Sequence, residues 1–269
     1  MRGGAAGDRG IVLAQARLAI LVALRTPRTL IFTVAFPLVF LVLFNSIFIH
    51  GGDQTTTLPS AVKLSAQAYF TAGIVAYAVA LSTFTTLAVS LTTQRENGQL
   101  KRYRGTPMPP WTFILAQICR ASAQALAMTA LLLAVGAVAY GVPVPGSTFP
   151  AFVLYVVLGT ATMCALGIAL TPFCPNADAA STIAPFTVVI LAFFSGVWIP
   201  VDQLPHWLET VGKVFPLYHL ALGLQTTLSP QASGSGLEWD NVLILLAWAL
   251  LGARIAARRF RWEPISARD

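Results

Sequence analysis

The sequence predicts an all-α integral membrane protein: six transmembrane helices, an N-terminal interfacial helix, and re-entrant or interfacial helices between spans five and six. Three observations predict it. Of 269 residues, 56% are hydrophobic and only 10% charged, far from the roughly 25% charged share of soluble domains. The apolar residues gather into runs of the length that a hydrocarbon core of roughly 30 Å demands of a helix. The basic residues are also sorted by side. Five lie in the N-terminal arm, four between Arg95 and Arg104, one at Arg120 and five from Arg254 onward, which makes 15 of 17; only Lys63 and Lys213 fall on the other side. The positive-inside bias then puts both termini in the cytoplasm, and an even span count follows.

Residues 1–28 read as a cytoplasmic arm. Its apolar stretch, 11–24, carries Gln15 and Arg17, so it is too short and too charged to span and fits a helix lying in the interface. It lacks the small-residue cleavage site of a signal peptide and is read as mature protein. The transmembrane domain is expected over 29–257, with spans at about 30–49, 68–91, 121–140, 150–171, 179–199 and 240–257. The first span contains Pro37, and 50–67 reads as a polar loop. The second is rich in Thr, Ser, Ala and Gly, residues that let helices approach closely. After the charged segment 92–110, the apolar run 111–140 exceeds one bilayer thickness, so Arg120 is placed near the inner interface. Tight turns at 141–148 and 172–178 separate spans three, four and five. Between Pro200 and Pro230 the apolar pieces PHWLETV and PLYHLALGL are too short to span. The last span needs Asp240 at one face and Arg254 snorkelling at the other, and 258–269 forms a cytoplasmic tail.

Motifs for soluble chemistry are missing. The phosphate cradle G-x-x-x-x-G-K-[ST] does not occur; its nearest approach, Gly212-Lys213, continues with Val214. H-E-x-x-H, G-x-S-x-G and Cys-x-x-Cys are absent as well. The three cysteines, Cys119, Cys164 and Cys174, sit in or beside apolar segments and read as small buried residues rather than a disulfide framework. His50, His206 and His219 are not spaced as metal ligands and read as interfacial or solvated. The span interiors are almost free of ionisable groups, which argues against an intramembrane protease, a proton-driven carrier and a charge-ringed channel. A machine driven from outside its own spans remains, as does a non-transporting scaffold.

Two stretches resemble a known family. Gln94 to Pro109, QRENGQLKRYRGTPMP, is similar to R-E-x-G-x-L-[KR]-x-x-x-x-[ST]-P-x-[PS], with Gln99 where Thr is commoner. Phe193 to Pro200, FFSGVWIP, continuing through Leu204-Pro205-x-Trp207-Leu208 to Phe215-Pro216-Leu217, is similar to S-G-x-x-[FI]-P…[LM]-P…P-[LF]. Both patterns belong to the type-2 ABC exporter permeases, and the resemblance covers essentially the whole chain.

That resemblance implies a half-transporter of the bacterial cytoplasmic membrane. It would pair with a second permease subunit, identical or paralogous, and with two copies of a separate ATPase that binds ATP and Mg; this chain itself would bind no cofactor, metal or nucleic acid and would catalyse nothing. Arg95, Glu96, Gly98, Leu100, Lys101, Arg102 and Arg104 would form the segment coupling it to the ATPase, with Arg95 and Glu96 as docking residues. Read on its charge alone, the Lys101, Arg102 and Arg104 cluster has a second reading, a positive-inside anchor on anionic lipid. Ser195, Gly196, Pro200, Leu204 and Pro205 would belong to a re-entrant exit gate, and Thr83, Phe84, Phe193 and Phe194 would line the substrate pathway. A hydrophobic or amphipathic cargo, such as a drug, antibiotic or lipid-like metabolite, fits; a polysaccharide or lipid-linked glycan is the alternative.

Overall fold

A computed structural model describes residues 27–49, 55–59, 62–104, 110–203, 205–229 and 235–260. The expected interfacial helix at 11–24, Leu204 and the tail beyond 260 lie outside them.

Helix α1, Pro27–Ile49, keeps Pro37 inside it. Where an all-helical chain with a polar loop at 50–67 was expected, a small antiparallel hairpin follows, β1 (Thr55–Thr57) and β2 (Lys63–Ser65), with Thr56 opposite Leu64. Its alternation turns Thr56 and Leu64 inward and their neighbours outward, a period of two that the residue types alone do not announce. Ser65 ends the strand and starts the next helix, its Oγ accepting from the Ala68 amide at 3.3 Å.

The second span runs without interruption from Ala66 to Glu96, about 46 Å at 1.5 Å per residue. It comprises α2 (Ala66–Ala80), a π-helical turn (Leu81–Thr85) and α3 (Thr86–Glu96). Its first half is mostly Ala, Gly and aromatic residues, and all of α2 but Gln67 is buried. Small side chains allow α1, α5, α6 and α9 to close around it, so it is the central pillar.

Helix α4 (Gln99–Arg104) is short; α5 (Pro110–Tyr140) begins at the prolines, eleven residues before the expected span. Helix α6 (Phe149–Leu170) tightens into a 3₁₀ turn, Thr171–Phe173. Helix α7 (Ala177–Phe194) is N-capped by Asn176, whose Oδ1 accepts from the Ala179 amide at 2.8 Å. It ends five residues short of the expected span because Gly196 takes φ +69°. Beyond a 3₁₀ turn, Val201–Gln203, come α8 (His206–Gly212) and α9 (Pro216–Thr227), then α10 (Trp239–Arg259). Every residue of α9 is buried, so this piece of the 200–230 region lies within the protein rather than on its surface.

Among the described residues, five helices are long and apolar enough to cross a membrane; α1 contributes a shorter apolar stretch, Val34–Ile47. The protein is thus a membrane protein with several apolar helices. Burial separates them: in the second span 72% of the most apolar stretch is buried, but in α7 only 22%. Helix α7 buries a single stripe, Ala180, Ala184, Val188 and Ala192, at spacing four. Its outer face exposes Ile183, Phe186, Ile190 and Phe193. Its hydroxyls are satisfied within the helix, as Ser181, Thr182 and Thr187 donate to the carbonyls of Ala177, Asp178 and Ile183.

Candidate functional site

At the C-terminal end of the second span, Arg95 and Glu96 are adjacent and therefore point about 100° apart. Each meets a different helix end. Arg95 was expected to face a docking partner; it is instead turned inward, with only 2% of it exposed. Its guanidinium donates to the carbonyls of Thr171 (2.9 Å), Cys174 (2.5 Å) and Pro175 (3.3 Å). These carbonyls belong to the turn that closes α6, where a cation meets the negative end of the helix dipole. A fork of N–H donors compensates a buried charge that would otherwise be costly. Glu96 is exposed, and its Oε2 accepts from the Ala177 amide at 2.6 Å, at the positive end of α7. The pair thus clasps both sides of the 171–177 turn, cation on the C-terminus of one helix and anion on the N-terminus of the next. Burial pushes the Cys174 thiol inside this clasp above the usual thiol range, and the neighbouring Arg95 charge pulls it partly back.

The chain then breaks at Gly98, whose φ of +67° is a left-handed conformation that glycine adopts freely. Leu100 is fully buried and packs in a small apolar cluster with Leu87, Leu91 and Phe113. That anchor leaves Lys101 and Arg102 exposed on α4. Arg104 closes the helix. Nearby, Arg120 Nε donates to Gln117 Oε1 at 3.1 Å, and Gln117 reaches Gln94 at 3.5 Å, tying α5 to α3.

At the other end of α7, Ser195 Oγ donates to the Leu191 carbonyl at 2.5 Å, and the Val197 amide returns to Ala192 across Gly196, a Schellman closure. A side chain at Gly196 would meet Val201 Cγ2 at 2.5 Å and the Tyr69 hydroxyl at 3.0 Å. Tyr69 itself, fully buried at the start of α2, donates to the Gly196 carbonyl (2.7 Å) and accepts from the Val201 amide (3.2 Å). Pro200 is buried and its carbonyl accepts from Gln203; Pro205 is exposed and heads α8. Trp198 fills a ring cluster with Phe40, Phe44 and Tyr77 at centroid distances of 4.6, 5.6 and 5.0 Å.

The pathway residues divide. Thr83 and Phe84, expected to face a cavity, are buried inside the subunit: Thr83 Oγ1 donates to the Val79 carbonyl at 2.6 Å, and the Phe84 backbone presses on Gly167, where a side chain would come within 2.6 Å. Phe193 is half exposed, and Phe194 lies 6.2 Å from the Phe215 ring. The histidine reading also needs correction. His219 is buried, its Nε2 at 2.8 Å from the Lys213 carbonyl and its Nδ1 at 2.6 Å from Asn241 Oδ1, which joins α9 to α10; only His206 is exposed, and His50 lies outside the described residues. Sequence reasoning missed both Tyr69 and His219. A tyrosine or histidine inside an apolar run carries no mark of the partner it will find.

A model of the ABC-2 type transporter family matches residues 12–228. The chain is similar to a Bacillus subtilis protein named as a transport permease, YvfS: they are 23% identical over 185 residues, 69% of this chain and 74% of that one. It is also similar to an Escherichia coli protein named as a multidrug ABC transporter permease, YbhR, at 23% over 175 residues, 65% of this chain but 47% of the longer relative. With the matched region running from before the first described helix through α9, the chain belongs to the ABC-2 type transporter permease family.

Proposed function

We propose that this chain is the transmembrane subunit of an ATP-driven exporter, assembled as a dimer of permeases with two copies of a separate ATPase that binds ATP and Mg. The observation that carries the reading is the build of the 96–104 segment. A buried leucine pins a short helix beneath the membrane-spanning bundle, and Lys101 and Arg102 project from it. A charged helix held this way suits a soluble partner, and family membership supplies the kind of partner. Lys101 and Arg102, with Arg104 beside them, are the docking residues in this reading, and Arg95 and Glu96 act behind them.

Helix α1, 23 residues long, crosses as the first of six spans within 29–257, long enough for a core of roughly 30 Å. Both termini then lie in the bacterial cytoplasm, and α8 and α9 fold back from the outer side around the 195–205 gate. The cargo is a hydrophobic or amphipathic compound. The span interiors, almost free of charge, support this, as does the name of the multidrug relative.

Co-expression with candidate ATPase chains, purification in detergent and an ATP hydrolysis assay test the reading. The wild type co-purifies with one ATPase as an active complex, and Lys101→Glu combined with Arg102→Glu loses it at unchanged thermal stability. Absence of any ATPase partner would overturn the assignment.

A further inference from the structure

The second span holds α7 at both ends. Glu96, in its last turn, accepts from the first amide of α7, and Arg95 beside it secures the turn from which α7 emerges. Tyr69, in its first turn, bridges the carbonyl of Gly196 and the amide of Val201 just beyond the other end. Between these grips α7 touches the subunit along a narrow stripe of three alanines and a valine. Such a stripe offers little interlock, because alanine side chains barely project. The helix is continuous from Ala177 to Phe194, through Pro185, so with both ends gripped and a smooth bearing between them a displacement of one end is carried to the other.

We infer that Tyr69 and Glu96 are the positioning residues that make α7 the transmission of this transporter, carrying displacement of the 97–104 segment to the 195–201 turn. This deepens the proposed docking of an ATPase and rests on it. Neither side chain needs to touch ATPase or cargo.

Coupling between sites is reciprocal, so loosening the outer grip must be felt at the inner one. Cys174 provides a native reporter: its side chain is fully buried inside the inner clasp. In the permease–ATPase complex carrying Cys119→Ser, the rate of Cys174 alkylation is measured without nucleotide and after trapping with ATP and vanadate. Cys164, buried within α6, is followed separately by mass spectrometry of the peptides. Trapping should change the Cys174 rate at least about fivefold, the low end of ordinary allosteric coupling. Tyr69→Phe, about 27 Å away along α7 at 1.5 Å per residue, should remove most of that change while the complex still assembles. Glu96→Ala, which removes the acceptor for the Ala177 amide, should do the same from the near side.

A merely local role for the tyrosine would leave Cys174 untouched. Full retention of the nucleotide effect in Tyr69→Phe, or no nucleotide effect in the wild type, overturns the inference while the ATPase partnership stands. Failure of the wild-type chain to capture an ATPase sinks the proposed function first and the inference with it.

Discussion

The two ends of α7 are held by opposite chemistries. The N-terminal end is clasped by a cation and an anion, each placed where a helix terminus presents the complementary partial charge. The outer end is held by one neutral hydroxyl, a left-handed glycine and packed rings. Surroundings explain the difference. A charged clasp works where water is at hand to solvate the exposed side of Glu96, whereas the fully buried Tyr69 site would make an ion pair pay a desolvation cost that a hydroxyl avoids. The inner grip should therefore respond to salt and charge, and the outer grip to shape.

The largest expected effect tests shape. Gly196→Val forces a side chain into the left-handed region and against Val201, and a loss of about 3 kcal/mol or outright misfolding should appear in thermal unfolding of the detergent-purified chain. Next comes charge without exposure. Arg95→Met strips the donors from carbonyls at the end of α6 and should cost about 2–3 kcal/mol, with Arg95→Lys recovering only part of it, because an ammonium cannot reproduce the planar fork. Full rescue by lysine would show that charge alone matters there. Tyr69→Phe keeps the ring and removes the hydroxyl, so about 1–2 kcal/mol should be lost, and the loss should be the same at low and high salt. Glu96→Gln is the mildest, about 0.5–1 kcal/mol at low ionic strength and close to nothing in 1 M salt, since the carboxylate is exposed and screening reaches it. A salt-independent Glu96 effect, or a salt-dependent Tyr69 effect, would erase the contrast between the ends.

Much of this was legible in the sequence, for reasons tied to particular residues. Apolar runs have to match bilayer thickness, so helices through 68–91, 150–171 and 240–257 could be placed within a few residues. The charged stretch from 92 onward announced the end of the second span, whereas the expected fifth span ran past the Gly196 turn to 199 while α7 stops at Phe194. The errors came where one signal had two readings. A run longer than a bilayer looked like an interface segment plus a span, yet α5 starts at Pro110 and continues unbroken. The 50–67 segment looked polar and shapeless, yet Thr56 and Leu64 pair across a hairpin. Arg95 looked like a surface charge because most arginines are one.

The sequence alone determined that this chain lives in a membrane, which side its charges favour and which family its motifs resemble, because those properties follow from composition and order along the chain. Only the tertiary structure decided what Arg95, Glu96, Tyr69 and His219 do. Their partners lie 76, 81, 127 and 22 residues away, and neighbours on a helix point about 100° apart. Whether a given side chain meets water, lipid or the end of another helix is therefore set by how the helices pack, which no local window of sequence contains.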